Sequence, residues 1–308
     1  MEHAKRLLRP VKRALRGARP APSPEETLPV AELRQFLTDM RWELRQQRKI
    51  LDTLRLVETA PVLDEVQSFA AERQLGFGET VQTLVDRPLS FARFGDGEMR
   101  LLLRSEYTLK FQPNSPELQR GLRDALTAPP QDHLLKGFPH VYRDLHWSGV
   151  WGDVWRQVKE LIPPGESFGN SHVTRPIYFQ VMGQRGVDLW RAVWENQRVS
   201  IITGEGSRFE LIPQLFDNLK DATTIPSQPV DAWSDVPRLV DAVGGLAPGE
   251  RADLYLIALG PAGTVLTHRL AQLGVRALDV GHLSDSYLTA FEGGAWPESK
   301  GVVRPQEP

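Results

Sequence analysis

The stretch "ADLYLIALGPAGTVLTHRLAQLGVRALDVGH", residues 252–282, decides the fold. Its first part, "ADLYLIALG", is a short and mostly apolar run that predicts a buried strand. The middle part has helical spacing and ends at Gly274, a residue type common at the end of a helix. The last part, "RALDVGH", predicts a second strand. A strand, a helix and a strand of these lengths predict a right-handed βαβ unit within a parallel sheet.

The same alternation extends upstream from this unit. "RVSIITGEGSR", residues 198–208, predicts a strand that ends in a glycine-rich loop, and "RFELIPQLFDNLK", residues 208–220, has the spacing of a helix. "ATTIP" predicts the next strand, and "VPRLVDAV" predicts a helix that begins after Asp235. Farther upstream, "LSFARF", residues 89–94, is rich in aromatic residues and alternates as a strand does. We therefore predict a Rossmann-like α/β domain, in which helices flank a mostly parallel sheet.

Composition excludes several classes of protein. The chain has 308 residues, of which 41% are hydrophobic and 25% charged, as in a globular protein with a substantial core. It contains no cysteine, which excludes disulfides, thiolate nucleophiles and cysteine-ligated zinc. No apolar run approaches the roughly 20 residues of a membrane-spanning helix, and the N-terminus lacks the apolar core of a signal peptide. The motifs H-E-x-x-H and G-x-S-x-G are also missing from the sequence.

The N-terminus is strongly basic. Residues 1–20 contain seven lysines and arginines and one acid, although the whole chain has a formal net charge of −2. Leucine and valine interleave with the basic residues, which favours an anionic membrane surface over nucleic acid as the partner. A solvated tail is an equally good interpretation. The proline-rich segment "ARPAPSPEETLP", residues 18–29, then predicts a linker.

After the linker, apolar residues recur at alternating steps of four and three, which is a heptad pattern. Its positions are Leu33, Leu37, Met40, Leu44, Gln47, Leu51 and Leu54, and Gln47 is the one polar member. This helix either forms a short coiled coil that makes a homo-oligomer or packs on the α/β domain of its own chain. We predict a tail and linker over 1–29, a helical region over 30–75, the α/β domain over 76–295 and a C-terminal tail over 296–308.

"FGDGE", residues 94–98, follows the strand "LSFARF" and holds two carboxylates, Asp96 and Glu98, on either side of one glycine. Like charges this close oppose each other's ionisation, so a compensating positive charge is expected. In a glycine-flanked turn both carboxylates can point at one hard cation, Mn²⁺ or Mg²⁺, which prefers oxygen ligands. The alternative is a solvated turn in which Glu98 serves the first turn of the following helix.

Four glycine-containing loops follow predicted strands: "FGDGE", "TGEGSR", "LGPAGT" and "VGHLSD". Ligands of open parallel sheets bind outside the carboxyl ends of the strands, where these loops would line one crevice. Glycine lets backbone amides approach a phosphate closely. The glycines expected to help to bind a nucleotide are Gly95, Gly97, Gly204, Gly206 and Gly260. The spacing G-x-G-x-x-G is missing, which argues against a dinucleotide dehydrogenase.

Several ordered motifs between about residues 78 and 291 resemble the GT-D-type glycosyltransferases, a bacterial family. They include "LSFARFGDGEMRLL", "SHVTRPIY", "VSIITGEGSRFELIPQLFDNLK" and "DLYLIALGPAGTVLTHRLAQLG". The resemblance implies that a nucleotide-sugar, most commonly a UDP-sugar, donates a sugar to a glycan or glycoprotein acceptor. It also implies an Asp-x-Glu metal motif at Asp96 and Glu98. We expect a cytoplasmic enzyme, peripheral at the inner membrane face if the basic tail binds lipid.

Charged residues in these motifs are candidates for the remaining roles. The candidates for donor binding are Arg93, Arg175, Glu205 and Arg208. A guanidinium holds a phosphate through two hydrogen bonds, although a structural ion pair is an equal alternative for Arg93. His282 is the candidate general base toward the acceptor hydroxyl, and Asp285 is the alternative. Two other functions stay open: a metal-dependent phosphohydrolase that uses the same acids, and a non-catalytic nucleotide-binding module.

Overall fold

The computed structural model describes residues 29–207 and 209–299. The predicted basic tail, nearly all of the predicted linker, Arg208 and residues 300–308 lie outside this range. The chain divides into two compact units, Met1–Leu54 and Arg55–Pro308. In the first unit the described residues belong almost entirely to the N-terminal part of helix α1, Val30–Arg73. The second unit contains the α/β domain.

The second unit is built on a sheet of seven strands among the described residues. The strands are β1 Ser90–Arg93, β2 Leu134–Phe138, β3 Gly169–Asn170, β4 Arg198–Gly204, β5 Asp221–Ser227, β6 Leu254–Ala258 and β7 Ala277–Asp279. Their order is β3-β2-β1-β7-β6-β4-β5, and every strand pairs in parallel with its neighbours. From β1 the chain continues to β2 on one side, and β7 lies on the other side. In open α/β sheets such a change of direction marks the ligand crevice.

Helices cover both faces of this sheet. The remaining helices are α2 Phe77–Asp86, α3 Asp96–Leu103, α4 Pro116–Thr127, α5 Leu145–Leu161, α6 Pro176–Val193, α7 Pro213–Phe216, α8 Val236–Gly244, α9 Pro261–Gln272 and α10 Leu283–Glu292. Strand β6 shows how the faces are filled. Leu256 packs in the same core as Trp190 of α6, whereas Ile257 packs in the opposite core with Leu239 of α8 and Leu266 of α9. Because both faces are buried, such a strand is apolar throughout rather than alternating.

The predicted Rossmann-like fold is confirmed, and the stretch 252–282 forms β6, α9 and β7. The helix predicted over 208–220 is wrong in its extent, because only α7 is helical among the described residues of this stretch, 209–220. Pro213 has no N–H and disfavours a helical residue before it, so a helix can begin there but cannot run through it. Beyond α7, the Asn218 amide donates to the Arg191 carbonyl at 2.9 Å, which holds the chain before it enters β5.

The C-terminal part of α1 belongs to the second unit, which begins at Arg55, whereas the sequence placed the boundary of the α/β domain at residue 76. Leu63 and Val66 are buried in one core with Trp155 of α5. Glu65 pairs with Lys159 of α5 at 2.6 Å. Neither α1 nor any other described helix combines the length and the apolar composition that a membrane crossing requires.

Candidate active site

A cleft of about 600 Å³ lies at the carboxyl ends of the parallel strands. All four glycine-containing loops line it, from Gly95–Glu98 after β1 through Gly204–Ser207 after β4 and Leu259–Pro261 after β6 to Gly281–Asp285 after β7. A further wall comes from residues that follow β3, including His172 and Arg175. The prediction that these loops share one crevice is confirmed.

Asp96 and Glu98 occupy the first turn of α3 rather than a loop. Gly95 is the N-cap residue, and its N–H donates to Glu98 Oε2 at 2.8 Å. The first turn of a helix carries unpaired N–H groups and a partial positive charge, so negative side chains are favoured there. Glu98 therefore serves the first turn of this helix, which was the alternative interpretation of this residue. It does not exclude a cation, because each carboxylate has a second oxygen.

The Asp96 carboxylate is paired with His146, a residue near the start of α5. His146 Nε2 lies 3.1 Å from Asp96 Oδ2. Burial raises the pKa of Asp96, but the hydrogen bond from His146 and the positive charges of His146 and Arg175 outweigh burial and lower the pKa overall. The same hydrogen bond raises the pKa of His146. Asp96 is thus held as a carboxylate at the mouth of the cleft.

Glu98 has the opposite tendency. Burial, together with the negative charges of Asp279 and Asp96, raises its pKa to about 7. The two neighbouring acids are therefore tuned apart: Asp96 is easily ionised and Glu98 is not. The chain tolerates the two acids side by side because Asp96 pairs with a histidine and Glu98 can keep a proton. A cation in the cleft would favour the ionised form of both.

Arg93, at the end of β1, forms the structural ion pair that was one of its two interpretations. Its Nη2 donates to Asp279 Oδ1 at 3.0 Å, and its Nε donates to the Asp279 carbonyl at 2.8 Å. Its Nη1 donates to the Ser171 carbonyl at 3.1 Å and to the Thr174 hydroxyl. A Cβ at Gly281, whose φ is 47°, would lie only 2.2 Å from Arg93 Nη2. The guanidinium ties β1 to β7 and to the turn that follows β3, which makes Arg93 a support for the site.

His282 and Asp285 both line the cleft, at the start of α10. His282 Nδ1 lies 4.0 Å from Asp285 Oδ2. Asp285 is buried, whereas 43% of the His282 side chain is exposed. An accessible histidine beside a buried carboxylate can receive a proton and have the resulting charge stabilised.

The other predicted donor-binding residues fall into two groups. Gly204, Glu205, Gly206 and Gly260 line the cleft with Arg175, whereas Arg208 lies outside the described residues. Gly260 has a φ of 55°, and a Cβ there would lie 2.7 Å from the Phe111 ring. Glycine is therefore required at the turn into α9.

The sequence pattern assigned no site role to His146 or His172. Both follow strands that it did not predict, β2 and β3. Strand β2, "LLKGF", is hard to recognise because Lys136 sits at its centre. The structure buries that lysine and pairs it with Glu166 at 2.9 Å. Strand β3 has only two residues, too few for any pattern.

Asp96 and Glu98 fit a hard divalent cation by their chemistry, because both offer carboxylate oxygens to one cleft. The described residues contain no cluster of three or more His, Cys, Asp or Glu side chains arranged to hold a metal. A cation bound by these two acids would therefore complete its ligands with water and with ligand phosphates, as Mg²⁺ commonly does in phosphate-binding sites.

Comparison with known families identifies the domain that carries this cleft. A sequence model described as "Glycosyltransferase GT-D fold" matches residues 91–298, which include most of β1, the four glycine-containing loops and α10. The chain belongs to the GT-D glycosyltransferase family. The resemblance found in the sequence motifs is thereby confirmed.

Relatives of this GT-D chain agree with the assignment. Glycosyltransferase GlyD of Streptococcus pneumoniae serotype 4 is 27% identical over 223 residues, which are 69% of this chain and 27% of GlyD. The chain thus spans about a quarter of the length of that relative. A structure described as a new glycosyltransferase from Streptococcus sanguinis superimposes with a TM-score of 0.62 and 25% identity, over 72% of this chain and 85% of the other. A structure of the highly conserved domain of unknown function 1792, described as a distinct glycosyltransferase fold, gives 0.64 at 20% identity, over 73% and 83%.

Proposed function

We propose that this GT-D chain is a metal-dependent glycosyltransferase that moves a sugar from a nucleotide-sugar, with UDP as the carrier, to a glycan or glycoprotein. One observation carries the proposal: Asp96 and Glu98 stand at the start of α3, in the same cleft as the glycine loops after β4 and β6. Carboxylates suited to a cation and amides suited to phosphate thus meet in one place. A nucleoside diphosphate leaving group needs both.

Donor binding in this proposal divides among three groups. Asp96 and Glu98 would hold Mn²⁺ or Mg²⁺, and the bound cation supplies positive charge that stabilises the departing diphosphate. Arg175 adds positive charge on the same side of the cleft, since its field lowers the pKa of Asp96, together with the stronger effect of His146. Backbone amides at Gly204–Gly206 and Gly260 can approach the phosphates because glycine has no Cβ.

His282 acts on the acceptor. The acceptor oxygen forms a bond to the anomeric carbon of the donor, and the bond from that carbon to the phosphate oxygen breaks. The electron pair leaves with the nucleoside diphosphate, and the acceptor proton passes to a ring nitrogen of His282. Asp285, whose Oδ2 lies 4.0 Å from His282 Nδ1, stabilises the imidazolium that results.

Incubation with a panel of UDP-, GDP- and dTDP-sugars in the presence of Mn²⁺ tests this function. We expect slow release of nucleoside diphosphate from one donor, and faster transfer once an extract of bacterial glycans is added. Asp96→Asn should abolish both. Asp153→Asn is the control, because Asp153 of α5 pairs with Arg104 and does not line the cleft. Phosphate release from simple phosphomonoesters, or binding without turnover, would contradict the proposal.

We also propose that the basic tail brings the enzyme to the inner face of the cytoplasmic membrane. The support is its charge: seven basic residues and one acid within residues 1–20. Each basic residue contributes about 1 kcal/mol at an anionic surface, and salt screens the attraction. Deletion of residues 1–29 should abolish binding to phosphatidylglycerol vesicles at low salt and spare transfer to a soluble acceptor. Vesicle binding that survives the deletion unchanged would rule the tail out as an anchor.

The heptad residues of α1 support a homo-oligomer, which we propose to be a parallel dimer. Their apolar side chains are exposed, as at Leu33 (45%), Leu44 (58%) and Leu51 (65%). If Leu37, Leu44 and Leu51 are the a positions, the e positions are Arg34, Arg41 and Arg48 and one g position is Glu43. Antiparallel helices would set these arginines against each other, whereas parallel helices place the acidic g residue opposite an arginine of the second copy. Electrostatics therefore favours the parallel arrangement.

A further inference from the structure

His172 is more buried than His282, the other histidine among the described residues that line the cleft. It lies in the 3₁₀ turn Ser171–Thr174 that follows β3, and only 8% of the residue is exposed. Its backbone N–H donates to Asn170 Oδ1 at 3.0 Å. The rings of Tyr142 and Trp147 pack edge-on against the imidazole, with centroid distances of 5.2 and 5.5 Å. The imidazole is therefore held in one orientation at the wall of the cleft.

A backbone hydrogen bond fixes the tautomer of this histidine. The His140 N–H donates to His172 Nδ1 at 3.0 Å. A nitrogen that accepts a hydrogen bond cannot carry a proton, so the proton of the neutral ring must be on Nε2. Burial, with the nearby positive charges of Arg175, His140 and Arg93, holds the pKa of His172 well below its ordinary value. The ring is thus a neutral donor through Nε2–H.

This tautomer excludes two roles that a histidine near a metal site would otherwise have. Nε2 has no lone pair to offer a cation, so His172 is not a metal ligand. Because Nε2 already carries a proton, it cannot take the proton of the acceptor hydroxyl, so His172 is not the general base. What remains is donation from Nε2–H, and none of the described residues accepts a hydrogen bond from it. Nε2 is not one of the buried unpartnered atoms of the described residues, so a ligand in the cleft can reach it.

We propose that His172 Nε2–H donates to an oxygen of the nucleotide-sugar donor, at the end of the cleft where Asp96 lies. The proposal rests on the function proposed above. Two oxygen types share this chemistry, a phosphate oxygen and a sugar hydroxyl. Trp147 packs against both His172 and His146, and His146 contacts Asp96, the residue assigned to the diphosphate side. His172 is thus assigned to donor binding, apart from the acceptor-side His282.

Two substitutions separate the proposed contact from the support that His172 gives to the fold. In His172→Asn, the new side chain can still accept from the His140 N–H through its amide oxygen, but no donor group reaches the position of Nε2. The amide of His172→Gln can place its nitrogen near that position. We expect His172→Asn to stay folded, with a lower unfolding midpoint because the ring contacts are lost, and to weaken donor binding roughly five- to tenfold, as for one hydrogen bond. His172→Gln should recover part of that loss.

Calorimetry with UDP and with UDP-glucose, each with Mn²⁺, distinguishes the two oxygen types. Weaker binding of both ligands by His172→Asn supports a phosphate contact, and weaker binding of UDP-glucose alone supports a sugar contact. If the variant binds each ligand as tightly as the wild type does, the inference about His172 is overturned but the proposed function is not. A wild type that binds no member of the nucleotide-sugar panel would overturn the proposed function as well.

Nitrogen-15 NMR of the histidine rings distinguishes a contact with the ligand from a purely structural role of His172. Wild-type His172 should show a protonated Nε2 and an unprotonated Nδ1 throughout the neutral pH range. The Nε2–H resonance should shift when UDP-glucose and Mn²⁺ are added. A ring protonated on Nδ1, or a resonance unaffected by a ligand that binds elsewhere in the cleft, would overturn the inference.

Discussion

His146 Nε2 lies 3.1 Å from Asp96 Oδ2, although the two residues are 50 positions apart in the chain. The contact joins the start of α5 to the start of α3 at the mouth of the cleft. It orients the Asp96 carboxylate and lowers its pKa against the effect of burial. If Asp96 holds a cation, the hydrogen bond with His146 fixes the orientation of the Asp96 carboxylate as a metal ligand. Partners of this kind typically contribute about 10- to 100-fold to metal affinity.

His146→Ala should therefore weaken Mn²⁺ binding by roughly tenfold and raise the Mn²⁺ concentration needed for half-maximal turnover. The loss should shrink at saturating Mn²⁺, because Asp96 itself remains. Titration of Mn²⁺ followed by electron paramagnetic resonance measures the affinity directly. His133→Ala is the matched control, since His133 is exposed and lies away from the cleft. Identical Mn²⁺ curves for the two variants would contradict a supporting role for His146.

Glu98 should make stability depend on pH. Its folded-state pKa is raised from 4.5 to about 7, so between these values the folded protein binds more protons than the unfolded chain. The free energy of unfolding must then fall as pH rises through this window. Glu98→Gln cannot ionise, so its free energy of unfolding does not show this decrease with pH. The new amide oxygen can still accept a hydrogen bond from the Gly95 N–H. The variant should gain on the order of 2 kcal/mol over wild type between about pH 5 and pH 8.

Urea unfolding in the presence of EDTA, at several values across this pH range, measures that difference. Glu106→Gln, a change at an exposed glutamate outside the cleft, should follow the wild-type curve. Parallel curves for wild type and Glu98→Gln would show that Glu98 is ionised normally in the folded protein.

Much of the fold could be predicted from the sequence because the C-terminal half repeats strands and helices of ordinary length. Residues 252–282 were sufficient for β6, α9 and β7, since their apolar runs are continuous and a glycine ends the helix. The half that contains β2 and β3 was not predictable in this way. Lys136 breaks the apolar pattern of β2, and its compensation by Glu166 comes from a residue 30 positions later. A pattern within one segment cannot reveal such a distant partner.

The candidate site was predictable where function and local pattern coincide. Asp96 and Glu98 stand out because two acids flank one glycine after a strand. Their unequal pKa shifts, however, come from burial and from His146 and Asp279, which approach from other elements. The two interpretations of Arg93 could be separated only by the structure, because Asp279 lies 186 positions away.

His282 should affect the acceptor step alone. His282→Ala is expected to bind UDP and Mn²⁺ about as well as wild type, because the metal and phosphate contacts are assigned to Asp96, Glu98 and the glycine loops. Transfer to the acceptor should fall by about 10²-fold or more, the usual contribution of a general base. Asp285→Asn should retain more activity. If His282→Ala loses UDP binding in step with turnover, the histidine belongs to the donor site, and Asp285 is the next candidate base.

The heptad residues predict the oligomeric state. Wild-type protein should elute with twice its chain mass of 34.7 kDa in light-scattering chromatography, and the double variant Leu44→Glu/Leu51→Glu should be monomeric. Arg45→Glu/Lys49→Glu, on the same helix outside the heptad positions, is the control. The chain has no cysteine, so Leu37→Cys should cross-link two copies only if the helices are parallel. A monomeric wild type, or a dimer that Leu37→Cys does not cross-link, would contradict the parallel dimer.

The central claim is that Asp96 and Glu98 hold a divalent cation for a nucleotide-sugar donor, and Mn²⁺ binding in the presence of UDP tests it most directly. Electron paramagnetic resonance of free and bound Mn²⁺ should show one site per wild-type chain. Asp96→Asn and Glu98→Gln should lose that site and reduce turnover by about 10²-fold or more, while Asp153→Asn binds as wild type does. Wild-type Mn²⁺ affinity and near-wild-type turnover in both acid variants would contradict the claim.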